Sequence, residues 1–292
     1  SRKSFTAVVL PVPYDWCYVN NFREPYEPKT VKLPPGKAKE FQRDMKGFID
    51  EARRALPKAF ESEDYSKKRE ETIRSVEKER SELQNQLNRR AQEEGFLLQS
   101  TPMGLLMIPV IDGKPLSDDD IMALTPQMKD RIRKRREKLE TELRNAMGQL
   151  RELERKANEE LQKLNREVAL YVTGHVVADI TEKYQEFPEV ATYVSEVQSD
   201  ILENLTQFLK EPEAPPQLPF TTPWIRELPF RKYEVNVIVD NSDLKGAPVI
   251  IERNPTYQNL FGRIEKEAQF GVLTTDLTMI RGGSLHKANG GY

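Results

Sequence analysis

Few side chains in this sequence have the type and spacing needed for covalent chemistry. The two histidines, His175 and His286, have no acidic or cysteine partners at the spacing of a metal site. No serine stands in the setting of a nucleophile elbow, and the single cysteine is Cys17. We therefore expect no catalytic or metal-binding residue in this chain, although His286, in a glycine-rich stretch, could line a site.

One short stretch, Pro34-Pro35-Gly36-Lys37, resembles the second half of a phosphate-binding loop. The glycine expected five residues before Gly36 is missing, and Ala38 replaces the Ser or Thr that would hold magnesium. The stretch is instead typical of a turn before a helix. We expect this segment to bind no cofactor.

A second kind of chemistry, non-covalent capture of apolar segments, is suggested by two apolar runs around Thr101-Pro102-Met103-Gly104. The runs and the turn predict a β-hairpin over 96–111. One face of the hairpin could simply cover the ends of neighbouring helices, and the other could bind exposed apolar segments of unfolded proteins. The candidate substrate-binding residues are Phe96, Leu97, Leu98, Leu105, Leu106 and Met107.

Two charged helices are expected to carry this hairpin. Thr125 to Phe187 reads as one helix of about 60 residues, roughly 90 Å long, and Glu63 to Glu94 reads as a second. Both have a thin apolar seam at heptad spacing, so we expect an antiparallel coiled coil of roughly 50 Å with the hairpin at its tip. The seam of the longer helix consists of Leu139, Leu143, Ala146, Leu150, Leu153, Ala157, Leu161, Leu164, Val168 and Tyr171.

The run Lys129–Lys138 is strongly basic and leaves a nucleic-acid hypothesis open. It lacks interleaved aromatic residues, nearby acidic residues partly neutralise it, and the net charge of the chain is only −2. A solvated helix face explains it better, so we do not expect a nucleic-acid partner.

The rest of the chain predicts a mixed α/β region. We expect strands at 15–22, 233–239, 248–252 and 273–280, helices at 37–56, 190–209 and 256–268, and a proline-rich connector at 211–223. No apolar run is long enough for a membrane span, and the chain lacks an initiator Met and a secretory signal. We expect a cytoplasmic protein, of which this is a segment.

Three sequence segments together are similar to those of one protein family. They are Asp15–Phe22 (DWCYVNNF), Asn254–Glu265 (NPTYQNLFGRIE) and the stretch from Thr275-Asp276 through His286 to Tyr292. They resemble the AAA-type module of Lon-like proteases of the LonB/LonC class, which carry a long helical insertion.

The resemblance implies a phosphate-binding loop upstream of the first strand, and a peptidase domain with a Ser-Lys dyad downstream. Neither would lie in this segment, so ATP and Mg²⁺ are expected for the parent protein and not for these residues. The parent is expected to be a ring-forming, hexameric serine protease that degrades unfolded or damaged polypeptides in protein quality control. In related ring ATPases a loop facing the central pore lies where Gln269–Leu273 stands here, which makes Phe270 a candidate for gripping a threaded chain. A Phe in the core of the module is an equal alternative.

The expected fold is mostly α within the α/β class, a partial AAA-type module interrupted by a helical insertion. The expected function is substrate recognition or gating for a Lon-like protease. Two alternatives remain open, a coiled-coil segment of a nucleic-acid-associated ATPase and a structural oligomerisation arm. The expected divisions are 1–33 and 216–292 for the AAA-like module, 34–61 and 168–215 for the helical base, and 62–167 for the arm.

Overall fold

Residues 11–101, 104–209, 228–269 and 272–291 are described by a computed structural model of the chain. The chain divides into two compact units. The first, Ser1–Glu61 with Val168–Tyr292, is called the sheet unit, and the second, Ser62–Glu167, is called the hairpin unit. The described residues are mostly helical, with small antiparallel sheets, in agreement with the predicted mostly-α class.

The sheet unit is built on three antiparallel strands in the order β2-β1-β6. These are β1 (Asp15–Val19), β2 (Lys29–Leu33) and β6 (Asn236–Val239). In β1, alternate residues are buried, as a strand with one face on the core requires. Residues from opposite ends of the sequence therefore share one sheet, because Tyr18 pairs with Asn236.

Helices cover this sheet with an aromatic core. Helix α1 (Lys37–Phe60) buries Phe41 and Phe48, and the ring of Phe41 contacts those of Tyr184 and Tyr193 at centroid distances of 5.4 and 6.3 Å. The predicted end of α1 at Leu56 was wrong. Pro57 lies within the last turn, where its missing N–H costs only one backbone hydrogen bond.

The predicted helix over 190–209 consists of two helices, α5 (Pro188–Glu203) and α6 (Leu205–Leu209). Asn204 separates them. Its backbone N–H and its Nδ2 both donate to the carbonyl of Asp200, at 2.9 and 3.0 Å. Such a side chain competes with the regular helical hydrogen bonds, which explains the break.

The hairpin unit contains two long helices that run antiparallel. They are α2 (Glu63–Glu93) and α4 (Pro126–Lys183), whose residues up to Glu167 belong to this unit. The Tyr65 hydroxyl donates to Asn165 Oδ1 at 2.8 Å, and Arg90 Nε donates to Glu142 Oε2 at 2.9 Å. The start of α2 therefore faces the later part of α4 within the unit, and its end faces the earlier part. Helix α4 ends four residues before the predicted Phe187.

Between these helices the chain forms a three-stranded antiparallel sheet in the order β3-β4-β5. The strands are β3 (Phe96–Thr101), β4 (Gly104–Ile111) and β5 (Lys114–Pro115). The predicted hairpin is therefore confirmed, and β5 extends it by one short strand, although the tip residues 102 and 103 lie outside the described residues. A short helix, α3 (Asp118–Ala123), follows and is capped by Ser117, whose Oγ accepts from the Asp120 N–H at 3.2 Å.

The last part of the sheet unit is less regular than predicted. A 3₁₀ turn (Leu228–Tyr233) precedes β6, so that strand begins later than expected. The remaining elements are short: α7 (Tyr257–Phe261), β7 (Arg263–Ile264), β8 (Glu267–Gln269), β9 (Val272–Thr274), a 3₁₀ turn (Leu277–Met279), β10 (Ile280–Arg281) and α8 (Ser284–Lys287).

Three predictions in this part were wrong. Residues 248–252 form no strand, and no described strand pairs with them, which leaves Val249 and Ile251 largely exposed. The helix expected over 256–268 stops at Phe261, because Gly262 takes a φ of 89°. The strand expected over 273–280 is interrupted after Thr274, where Asp276 caps a 3₁₀ turn by accepting from the Thr278 N–H at 2.8 Å. The predicted connector at 211–223 lies outside the described residues.

Candidate functional site

The apolar residues of the hairpin lie on two different faces of the sheet. In the β3–β4 pairing, Leu98 lies opposite Met107, and Leu97 lies opposite Ile108. Because side chains alternate along a strand, the first pair points to one face and the second to the other. The hairpin therefore has an inner face and an outer face, which we define by these pairs.

The inner face forms the small core of the hairpin unit. Phe96 and Met107 are buried together with Ala91 of α2 and Leu139 of α4. Leu98, Ile132 and Leu143 pack around this cluster. These contacts explain three of the six candidate residues, Phe96, Leu98 and Met107, by ordinary core formation.

The outer face remains accessible. Leu97 and Leu106 keep 43% and 47% of their surface exposed, and Ile108 is partly exposed between them. Leu105, on the inner row but beyond the buried cluster, is 39% exposed. The apolar outer face is the main candidate for contact with another molecule.

Charged residues fasten the helices close to the hairpin. Arg90 pairs with Glu142 at 2.9 Å, and Lys138 Nζ lies 2.9 Å from Glu94 Oε1. The hydrogen bond from Lys138 lowers the pKa of Glu94, so this carboxylate stays charged at neutral pH. These contacts tie the end of α2 to α4.

Two exposed methionines extend the accessible apolar surface of the unit. Met122 of α3 is 75% exposed and Met128 of α4 is 41% exposed. Sequence reasoning did not single them out, since they stand among charged residues. Exposed thioether side chains suit contacts with varied partners.

Four of the seven basic residues in the run Lys129–Lys138 of α4 form ion pairs. Asp130 contacts Arg133 and lies 3.0 Å from Lys134, Arg136 contacts Glu140 at 3.4 Å, and Lys138 is taken by Glu94. These pairs lie one helical turn apart or fasten α4 to α2. The arrangement favours the solvated-face interpretation of this run.

The turn before α1 holds a carboxylate from its own chain. Asp15 Oδ2 accepts from the N–H groups of Gly36 and Ala38 at 2.7 and 3.2 Å, and its Oδ1 accepts from the Asn241 N–H at 2.7 Å. A phosphate at this helix start would have to displace the buried side chain of Asp15. The residues around Gly36 therefore do not fit a nucleotide.

His286 lines a groove of about 490 Å³ in the sheet unit, together with Trp16, Cys17 and Leu285. Its Nδ1 accepts from the Gly283 N–H at 3.2 Å. Burial raises the pKa of the Cys17 thiol to about 12, and the nearby Asp15 acts in the same direction. The thiol stays protonated at neutral pH, so Cys17 is not an activated nucleophile.

Within the described ranges, no group of three or more His, Cys, Asp or Glu side chains could hold a metal ion. In the same ranges, none of the helices is long and apolar enough to cross a membrane. Phe270 lies outside the described residues. The strands on either side of it, β8 and β9, pair with Gln269 opposite Val272.

Comparison with protein families gives two matches. Residues 245–292 match the LonB-like AAA domain, and residues 15–48 match the Lon-like LonC helical domain. The second match covers β1, β2 and the first half of α1. A search of the curated proteins finds no match.

Proposed function

We propose that this chain, a segment of a Lon-like protease, recognises unfolded polypeptides through the outer face of its hairpin. The observation that carries the proposal is the exposure of Leu97 and Leu106 on a sheet whose opposite face already forms a core. Burying such side chains against a ligand is favourable by about 25 cal/mol per Å² of apolar surface. An unfolded protein offers apolar side chains that a folded one hides.

The two helices, α2 and α4, would act as a coiled coil that presents this face, and the parent protein would cleave what the hairpin selects. The cleaving residues, a Ser-Lys dyad, would belong to a part of the parent outside this chain. Oligomerisation into a ring, a hexamer in the family expectation, and a cytoplasmic location are further parts of the proposal. The AAA match supports use of ATP and Mg²⁺ by the parent.

Phe270 is proposed as a second substrate contact, distinct from the hairpin. It stands between β8 and β9, in a segment that matches an AAA domain. An aromatic ring can contact an extended chain without requiring a particular sequence. The proposal gives this chain two contacts with substrate, one for selection and one for translocation.

The experiment is to measure binding of a permanently unfolded, carboxymethylated protein to this chain and to its Leu97→Ser/Leu106→Ser variant. We expect the dissociation constant to rise at least about fivefold, because two exposed apolar contacts worth roughly 1 kcal/mol together are lost. The helical circular dichroism should not change, since both side chains are already exposed.

Met147→Ser is the matched control. Met147 lies on α4 in the same unit and is 43% exposed, the same fraction as Leu97. Its replacement should leave binding unchanged. An equal loss of affinity in both variants would indicate nonspecific binding to any exposed apolar side chain. Unchanged affinity of the double variant would refute a role of the hairpin in recognition. In the parent protease, the double variant should slow degradation of the same substrate.

A further inference from the structure

The sheet of the hairpin unit has two edges, and they differ in length and chemistry. Strand β4 lies in the middle, so the outer edges belong to β3 and β5. The β5 edge is two residues long and consists of Lys114 and Pro115, a charge and a residue without an N–H. Both features protect an edge from pairing with another strand. The β3 edge runs over Phe96–Thr101 (FLLQST) and contains no charge and no proline.

The hydrogen bonds around β4 show which groups of β3 point outward. The Val110 N–H donates to Gly95 O at 2.8 Å, and the Leu116 N–H donates to Pro109 O at 2.9 Å. Val110 therefore bonds towards the β3 side, while the Pro109 carbonyl points towards the β5 side. Phe96 lies opposite Pro109, which has no N–H to offer it.

Bonding directions alternate along an antiparallel pair. Leu97 and Gln99 must then bond to β4, and the N–H and C=O groups of Phe96, Leu98 and Ser100 must point away from it. Among the described residues, no backbone partner lies on that side for Phe96 or Leu98. The outward edge of β3 thus presents a regular row of donors and acceptors.

Apolar side chains lie on both sides of this edge. On β3 itself, Leu97 is exposed on the outer face and Leu98 is partly exposed on the inner face. A strand placed beside β3 would direct alternate side chains to these two faces. The edge is therefore complementary to an extended segment with apolar residues, which supplies backbone bonds and side-chain contacts together.

We propose that β3 binds its polypeptide substrate by strand addition, with the outward groups of Phe96, Leu98 and Ser100 bonded to the substrate backbone. This inference rests on the proposed function and specifies its substrate class, an extended apolar segment of an unfolded chain. A folded helix with the same side chains would not bind, because its N–H and C=O groups are already paired. A proline in the bonded register of the substrate would also prevent binding.

The experiment uses a fluorescent peptide of about eight residues, the length of an ordinary strand, that alternates leucine and serine. Two derivatives carry N-methyl groups on alternate residues, one on the leucines and one on the serines. Their side chains are the same, but only one set removes the N–H groups that would face β3. We expect one derivative to bind this chain at least tenfold more weakly and the other to bind like the parent peptide. Equal affinities of the two derivatives overturn strand addition.

A change on the protein side tests the same edge. Ser100→Pro removes one outward N–H, while the bonds of Leu97 and Gln99 to β4 are kept. Ser100→Ala, the matched control, keeps that N–H. We expect Ser100→Pro to weaken peptide binding about tenfold and Ser100→Ala to leave it unchanged. Equal binding by the two variants contradicts the inference.

Two further outcomes distinguish the alternatives. If Leu97→Ser/Leu106→Ser weakens binding but the two methylated peptides bind equally, the hairpin recognises apolar side chains as proposed. Binding by strand addition is then refuted. If sedimentation shows a dimer that Ser100→Pro converts to a monomer without changing peptide binding, a second copy occupies the edge. That result also overturns the proposal.

Discussion

Asp15 is a strand residue whose carboxylate completes a helix later in the chain. It accepts from the N–H groups of Gly36 and Ala38, at the start of α1, and from the N–H of Asn241. Gly36 has no side chain with which to cap the helix. One buried carboxylate thus joins β1, α1 and the loop after β6.

Asp15→Ala is predicted to destabilise the sheet unit by roughly 3 kcal/mol, since it leaves the buried N–H groups of Ala38 and Asn241 and the partly buried N–H of Gly36 without an acceptor. The measurement is urea unfolding of the chain followed by circular dichroism. Asp243→Ala removes an exposed carboxylate of the same unit and should change the stability by less than about 0.5 kcal/mol. Equal stabilities of the two variants would contradict the capping role.

Sequence reasoning placed Asp15 on a strand but did not assign its partners. A cap supplied from about 20 residues away depends on tertiary structure, and no local pattern encodes it. The placement of Leu97 and Leu98 on opposite faces of the hairpin is different, because it follows from strand alternation once the register is known. These two faces were therefore predictable from the sequence. The exposure of Met122 was not predictable.

Among the elements, the turn at Gly262 shows how a backbone contact can end a predicted helix. Gly262 has a φ of 89°, and a Cβ placed on it would lie 2.3 Å from the carbonyl oxygen of Arg281. Strand β7 begins at the next residue and pairs with β10. The close approach of these two backbones needs a residue without a side chain.

Gly262→Ala is predicted to lower the melting temperature of the chain more than Gly113→Ala does. Both glycines have positive φ, but a Cβ on Gly113 would meet nothing within 4 Å. The Gly113 variant should cost about 1 kcal/mol for backbone strain alone, and the Gly262 variant at least twice as much. The two costs can be compared by thermal unfolding. Similar losses would show that the backbone at Gly262 can move aside.

The long helices and the hairpin were predicted because their signals are local. The heptad spacing of the helices and the turn residues of the hairpin act within a few residues. Residues 248–252 have an equally good strand pattern, but a strand also needs a neighbour, and the described residues provide none. The alternation of Val249 and Ile251 thus indicated that these residues favour a strand, but it could not show that a pairing strand is present.

At the scale of the whole molecule, charge argues against nucleic acid as a partner. The net charge is −2, and four of the seven basic residues in the run of α4 are paired with Asp130, Glu140 or Glu94. A protein that binds DNA through phosphate contacts needs free cationic side chains.

We expect the chain to bind duplex DNA more weakly than about 10⁻⁴ M at physiological salt, with no steep dependence on salt concentration. Fluorescence anisotropy at two salt concentrations measures both. The Arg131→Glu/Arg135→Glu variant is the control, and it should behave as the unchanged chain. Micromolar binding that falls steeply with salt, and that is lost in this variant, would favour the nucleic-acid hypothesis.

The pairing of β1 with β6 has a consequence for synthesis on the ribosome. Tyr18 and its partner Asn236 stand about 220 residues apart, which is a delay of roughly 10 to 45 s at 5 to 20 residues per second. The nascent β1 can pair with β2 early, but its edge towards β6 must wait for that time without a partner. Ser62–Glu167 is continuous in sequence and can fold during the wait. The hairpin unit can therefore reach its native state before the sheet of the sheet unit is complete, although β1 is synthesised first.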